Sequence, residues 1–321
     1  MASNQFEVNL QLFKGLKIGP LVADGVPRFT FDLCEAFKVD GGTLTIVGES
    51  DLQERDGLIG MSGAYFHPSL LSASSCDEVF DAWEWIGNEV GDSFYQMSQF
   101  LTGAFVLRAI MTRLLNFALM APIGMAVKLH KLSKSIDTKP KVKELKEFVK
   151  GNVKSWNRYQ TLQWCDNMDT MTRFLCNLES EFEFALFSLE CGLSIRLAKH
   201  PDLFLEEIPV DIKNPSWGYS LPTRNYTRKV IEHAEDAFQE QDAKLVGLSI
   251  GMALIRLGLS KERTSKNRIG RGEFCIALKK GLILAKDERN PVLLFYHDPW
   301  TGDVQAITET IEDLREDLGG F

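Results

Sequence analysis

The chain has 321 residues, 45% hydrophobic and 25% charged, with a formal net charge of −8. These proportions belong to an ordinary globular protein and exclude a disordered or fibrous one. The length exceeds what one hydrophobic core usually serves, so two lobes are expected, and the 21 phenylalanines supply large buried areas for them.

The first 73 residues read as a β-rich or extended region. FEVNLQLF, PRFTFDL and TLTIVGES alternate apolar and polar side chains, and glycines and prolines punctuate them. Asp40-Gly41-Gly42 between two apolar stretches is a hairpin signal. From Ser74 the spacing turns helical. Ser75 followed by Glu78 makes a capping box that leads into Val79, Phe80, Trp83 and Ile86. The apolar stretch from Leu114 to Val127 carries Pro122 and is too short to span a bilayer, so no membrane span is expected. Val142, Leu145, Phe148 and Val149 form a narrow stripe with lysines around it, which predicts a surface helix. The run from Met168 to His200 completes a helical lobe over 74–200.

Four prolines between Pro201 and Pro222 predict a linker over 201–222. A C-terminal helical lobe over 223–321 follows. Within it, RKVIEHAEDAFQEQDAKLVGLSIGMALIRLGL reads as helix, EFCIALKKGLILA as helix or strand, and VLLFYHD as strand. An acidic tail closes the chain, with Ile307, Ile311, Leu314 and Leu318 spaced as a stripe that would dock on a neighbouring subunit. The expected fold class is therefore mainly α: two helical lobes behind a small β-rich N-terminal region.

Charge is segregated along the sequence. Between Met125 and Gln160 ten basic residues face three acidic ones, and between Arg256 and Lys286 nine face two. Two basic stretches on an acidic body predict a focused positive surface. Trp156 and Tyr159 close the first stretch, and cations alternating with aromatic faces suit single-stranded nucleic acid. The expected contact residues are Lys139, Lys141, Lys143, Lys146, Lys150, Lys154, Trp156, Arg158 and Tyr159 from one lobe. Arg263, Lys266, Arg268 and Arg271 would come from the loop SKERTSKNRIGRG in the other. That loop suits anion contact but lacks the spacing of a nucleotide-triphosphate site.

Catalytic signals are sparse. The five histidines show no metal-ligand spacing, the six cysteines include no close pair, and there is no nucleophile elbow. Neither a metal nor another cofactor is expected on these grounds, and the cysteines read as reduced thiols. One pattern points elsewhere. Pro201-Asp202 followed by Asp211-Ile212-Lys213 resembles the loose outline PD…(D/E)xK of metal-dependent nucleases, in which carboxylates hold a divalent ion and a lysine assists the attacking water. Against it, Pro209 and Pro215 crowd the second element, which favours Asp202 as a turn residue and Asp211 with Lys213 as exposed loop charges.

The sequence thus predicts a non-enzymatic, multimerising protein of the nucleocapsid kind. It would bind single-stranded RNA without reading sequence, self-associate into a homo-oligomer, and reside in the cytoplasm or a virion. A protein-interaction scaffold and a metal-dependent nuclease are the alternatives.

Overall fold

A computed structural model describes residues 52–61, 64–66, 68–95, 97–98, 121–156, 161–214, 223–249, 272–297 and 304–319, together with short strand segments between 5 and 46. They divide into two compact units, one comprising 1–130 with 145–172 and the other 131–144 with 173–321.

The first unit holds the expected N-terminal strands. β1 (Gln5–Glu7), β4 (Phe37–Asp40) and β5 (Thr43–Ile46) form one sheet in the order β1-β5-β4. Asp40 pairs with Thr43, so β4 and β5 form the hairpin that the sequence announces. A second sheet joins β2 (Lys17–Ile18), β3 (Phe31–Asp32), β6 (Gln53–Arg55), β7 (Leu58–Met61) and β8 (Ala64–Phe66) in the order β2-β3-β8-β7-β6. Helix α1 (Cys76–Val90) starts where predicted. The Ser75 hydroxyl accepts the Glu78 N–H at 3.2 Å, and the Glu78 carboxylate accepts the Ser74 N–H at 2.6 Å. The stretch around Pro122 is described from Ala121 onward, as helix α2 (Ala121–Ser133). Among the described residues no helix is long and apolar enough to cross a membrane.

Helix α3 (Lys139–Trp156) buries the predicted stripe of Val142, Leu145 and Val149 and exposes Lys139, Lys143, Lys146 and Lys150. Helix α4 (Thr161–Glu190) enters the second unit from residue 173.

The second unit corrects the mainly α expectation. Its centre is a six-stranded mixed sheet built from β9 (Ile195–Leu197), β10 (Leu203–Leu205), β11 (Ile208–Lys213), β12 (Leu245–Ser249), β13 (Pro291–His297) and β14 (Val304–Thr310). The order is β14-β13-β12-β11-β10-β9, with β11, β12 and β13 mutually parallel and the outer pairings antiparallel. The fold is therefore α+β. The expected linker carries two of these strands, and the expected long helix after residue 223 stops at Glu240, with β12 following.

Helices cover both faces of that sheet. On one face, α5 (Thr223–Glu240) and α7 (Ile311–Gly319) lay Val230, Ala234, Ala237, Ile311 and Leu314 against Val246, Leu248, Val292 and Leu294. The stripe expected to dock on a neighbour thus closes the chain's own core at Ile311 and Leu314. On the other face, α6 (Gly272–Lys286) and the end of α4 meet the sheet through Phe184, Phe187, Phe274 and Phe295, whose rings stand edge to face. Burying each such ring contributes roughly 1.5–3 kcal/mol. The layers close tightly at Gly247, where a Cβ would fall 2.5 Å from the Ile212 Cδ1 and 2.9 Å from the Phe184 ring, so any larger residue would force these side chains to shift. Cys191 and Cys275 are joined by a disulfide, which corrects the reduced-thiol expectation for this pair.

Candidate active site

The two elements of the PD…DxK outline meet in the second unit, and strand register brings them together. Leu205-Glu206-Glu207-Ile208 turns β10 into β11 with positive φ at Glu206 (47°) and Glu207 (68°), the backbone of a tight two-residue hairpin. Leu203 then pairs with Val210, so one step further along the hairpin Asp202 stands opposite Asp211. The period-two pleat puts Lys213 on the same face of β11 as Asp211, while Val210 and Ile212 take the other. Beyond the end of the ladder the Asp202 Oδ2 accepts the Ile212 N–H at 2.8 Å, which fixes its carboxylate against β11.

None of these side chains is the exposed loop charge that the prolines suggest. Asp202 is buried and Asp211 is 2% exposed. Pro209 lies within β11, paired with Phe204, and the strand runs on through Lys213. The Asp211 Oδ2 sits 2.7 Å from the Lys213 ammonium, and the Asp202 carboxylate is close enough for its charge to act on Asp211. Burial and the Asp202 charge push the Asp211 carboxyl from 3.8 up to about 7, although Lys213 pulls it down. Burial pulls the Lys213 ammonium down, but Asp211, Asp202 and Glu181 outweigh it and hold it above its ordinary value. Lys213 is therefore a cation at neutral pH.

A second cation sits deeper. The Lys141 ammonium lies 2.6 Å from Glu181 Oε2, 3.1 Å from Glu144 Oε2 and 3.2 Å from Asp202 Oδ1, and its side chain is fully buried. Burial disfavours that charge, and the three carboxylates outweigh burial, so the ammonium is held above the ordinary lysine range. Glu181, enclosed on α4, is pushed well above the ordinary carboxylate range by burial and by the Asp202 charge, against the pull of Lys141. The expectation that Lys141 contacts RNA at the surface is corrected: its long side chain turns inward from the first turn of α3 and links helix to sheet. Asn214, just past β11, donates to the Ser180 Oγ at 2.8 Å and to the Cys176 carbonyl at 3.3 Å, tying the strand end to α4.

The remaining predicted contact residues divide by where they lie. Lys139, Lys143, Lys146 and Lys150 are exposed along one side of α3, at spacings of four, three and four residues. Lys139 and Lys143 flank Lys141. The side chains of Lys154 and Trp156, and the whole of Arg158, Tyr159, Arg263, Lys266, Arg268 and Arg271, lie outside the described residues. Sequence reasoning missed Glu181, Glu144 and the inward role of Lys141. A signal for Glu181 existed, in that LESEFEFALF places carboxylates inside an otherwise apolar helical run.

As the side chains stand, no three His, Cys, Asp or Glu among the described residues are arranged to hold a metal ion directly. The donor set still suits a hard cation. Oε2 of Glu144, Oε2 of Glu181 and Oδ2 of Asp211 are enclosed without a hydrogen-bond partner of normal geometry, and their close neighbours are ammonium groups. Magnesium in particular is bound by one or two carboxylates and keeps several waters. The facing pair Asp202 and Asp211 offers that number. No known protein family matches the chain, and neither a curated protein nor a solved structure matches it.

Proposed function

We propose that the chain is a metal-dependent hydrolase of nucleic-acid phosphodiesters, with Asp202, Asp211 and Lys213 at its centre. The observation that supports this reading most is the hairpin register. It sets Asp202 opposite Asp211 and leaves Lys213 beside them on the same strand face, with both carboxylates buried. Buried charge of this kind costs folding free energy and is a candidate for function on that ground.

Asp202 and Asp211 would hold the ion between them. When bound, it supplies Lewis acidity to a phosphoryl oxygen and lowers the pKa of a water. The chain's own groups do the rest. Asp202, fixed by the Ile212 N–H, orients the ligand pair. Lys213, protonated and partly exposed, donates to a non-bridging phosphate oxygen and stabilises the charge that builds there as water attacks phosphorus and the P–O bond to the leaving oxygen breaks, the water giving up its proton to solvent and the leaving oxygen taking one from solvent. Its raised pKa suits it to that electrostatic role rather than to removing the water's proton.

The exposed lysines at 139 and 143 flank Lys141 on α3, which contributes to the same buried cluster. They give the polyanion reading of the sequence a place here, as backbone contacts that position a single strand without reading its bases. The homo-oligomer is not part of this proposal.

Cleavage of end-labelled single-stranded RNA and DNA by the full chain, with Mg²⁺ or Mn²⁺ and then with EDTA, tests the reading. Metal-dependent cleavage that falls at least a hundredfold in Asp211→Asn and in Lys213→Ala is the expected result. Cleavage that survives Asp211→Asn would sink it. So would binding of RNA without cleavage in either metal, which would favour the RNA-binding structural protein instead.

A further inference from the structure

We infer that the Lys141 ammonium stands in for a second metal ion, so that the site takes one divalent cation per chain. This rests on the hydrolase reading and concerns how that same site is charged.

Lys141 touches Glu144, Glu181 and Asp202, Lys213 touches Asp211, and the hairpin register sets Asp202 opposite Asp211, so four carboxylates and two ammonium groups lie together. The formal charge of this set is −2, which one divalent ion neutralises, whereas without Lys141 the set is −3 and one ion leaves it at −1. The contacts also divide the set in space. Lys141 bridges the inner carboxylates Glu181, Glu144 and Asp202, with its side chain closed to solvent. The outer pair, Asp202 and Asp211, is met by the partly exposed Lys213. A two-ion clamp needs a second cation close beside the first, and Lys141 already occupies the inner carboxylates. The point charge of an ammonium, with three donors, suits a three-carboxylate nest of this kind. Asp202 belongs to both halves. Its Oδ1 meets Lys141 and its Oδ2 accepts from Ile212, which leaves each oxygen a further lone pair.

Lys141 is therefore a positioning residue. It keeps Glu181 and Asp202 together, makes the inner side electrostatically full, and directs the metal to the outer pair.

Counting Mn²⁺ bound to the full-length protein, by equilibrium dialysis with an EPR readout of free Mn²⁺, tests this without reference to activity. The wild type should bind one Mn²⁺ per chain and Asp211→Asn none. Lys141→Met, which empties the inner side of its cation, should bind two. Two ions on the wild type, or still one on a folded Lys141→Met, would overturn the inference and leave the hydrolase reading standing. No Mn²⁺ on the wild type would instead remove the metal site itself, and with it the hydrolase reading. Should Lys141→Met fail to fold, Lys141→Arg keeps the charge and should bind one ion, and the wild-type count alone still decides between one and two.

Discussion

Replacing Lys141 with methionine keeps most of the side-chain volume and deletes one buried charge. In the metal-free protein this leaves Glu181, Asp202 and Glu144 enclosed without their shared counter-ion, at 2.6, 3.2 and 3.1 Å from where it was. Breaking a buried ion pair from one side costs roughly 3–5 kcal/mol, because the partner charge stays behind in a low-dielectric site. With a urea slope of about 2 kcal/mol per molar, the unfolding midpoint should fall by roughly 2 M. The sign with pH follows from which groups are shifted. Lys141 is held above its ordinary 10.5, so its contribution is complete at pH 7 and is lost only as pH rises through the folded-state value. Glu181 is pushed up, so on acidification it takes a proton before an ordinary glutamate would, and the gap between variant and wild type should narrow. The assay is urea denaturation in EDTA at pH 7.5 and again at pH 5, with Lys143→Met as the exposed control expected within about 0.5 kcal/mol of wild type. A loss below about 1 kcal/mol for Lys141→Met at pH 7.5 would refute the argument that this ammonium holds the cluster together.

Two further outcomes follow from the same unit. Because burial and Asp202 raise Asp211 to about 7, the folded metal-free protein keeps a proton there that the unfolded chain releases near 3.8. Stability should therefore fall as pH climbs between those values, by at most roughly 4 kcal/mol. Asp211→Asn should lack this slope and become the more stable protein by pH 8; parallel pH profiles for the two in EDTA would contradict it. In the β10–β11 hairpin, exposed Glu207 holds φ at 68° and has only a 3.7 Å ion pair with Arg196. Relieving the left-handed backbone with Glu207→Gly should gain about 1 kcal/mol by thermal or urea melting, and a loss would show that the side chain matters more than the turn.

How far the sequence is legible depends on which physical signal each element leaves. The N-terminal hairpin, the Ser75 cap, the apolar stripe of α3 and strand β13 all announce themselves through spacing or turn residues. The central sheet does not. β12 is LVGLS, buried on both faces, so it shows no alternation and merges with the apolar residues after it into what looks like a continuing helix. β10 and β11 are short and interrupted by Pro209, and a proline in a six-residue run reads as a linker until its strand partner is known. The candidate site residues follow the same division. Asp202, Asp211 and Lys213 are visible as a pattern, but whether such a pattern is exposed or buried is decided by register, which no local feature of 201–213 contains. Lys141 is hidden by its company: one of nine lysines in a basic stretch gives no hint that it points inward. The pairing of Cys191 with Cys275, 84 residues apart, is likewise a property of the folded chain.

That pairing has a topological consequence. The bridge turns 191–275 into a closed ring, and β9, β10, β11, α5 and β12 all lie on it, with Asp202, Asp211 and Lys213 among them. The backbone that carries the β10–β11 hairpin can therefore be severed once, anywhere along the ring, without the molecule becoming two. A protease cut there would pass unnoticed on a non-reducing gel, and the fragments would part only when a reductant opens the bridge. While the bridge is closed, the two carboxylates and the lysine share one covalent framework that a single nick does not divide.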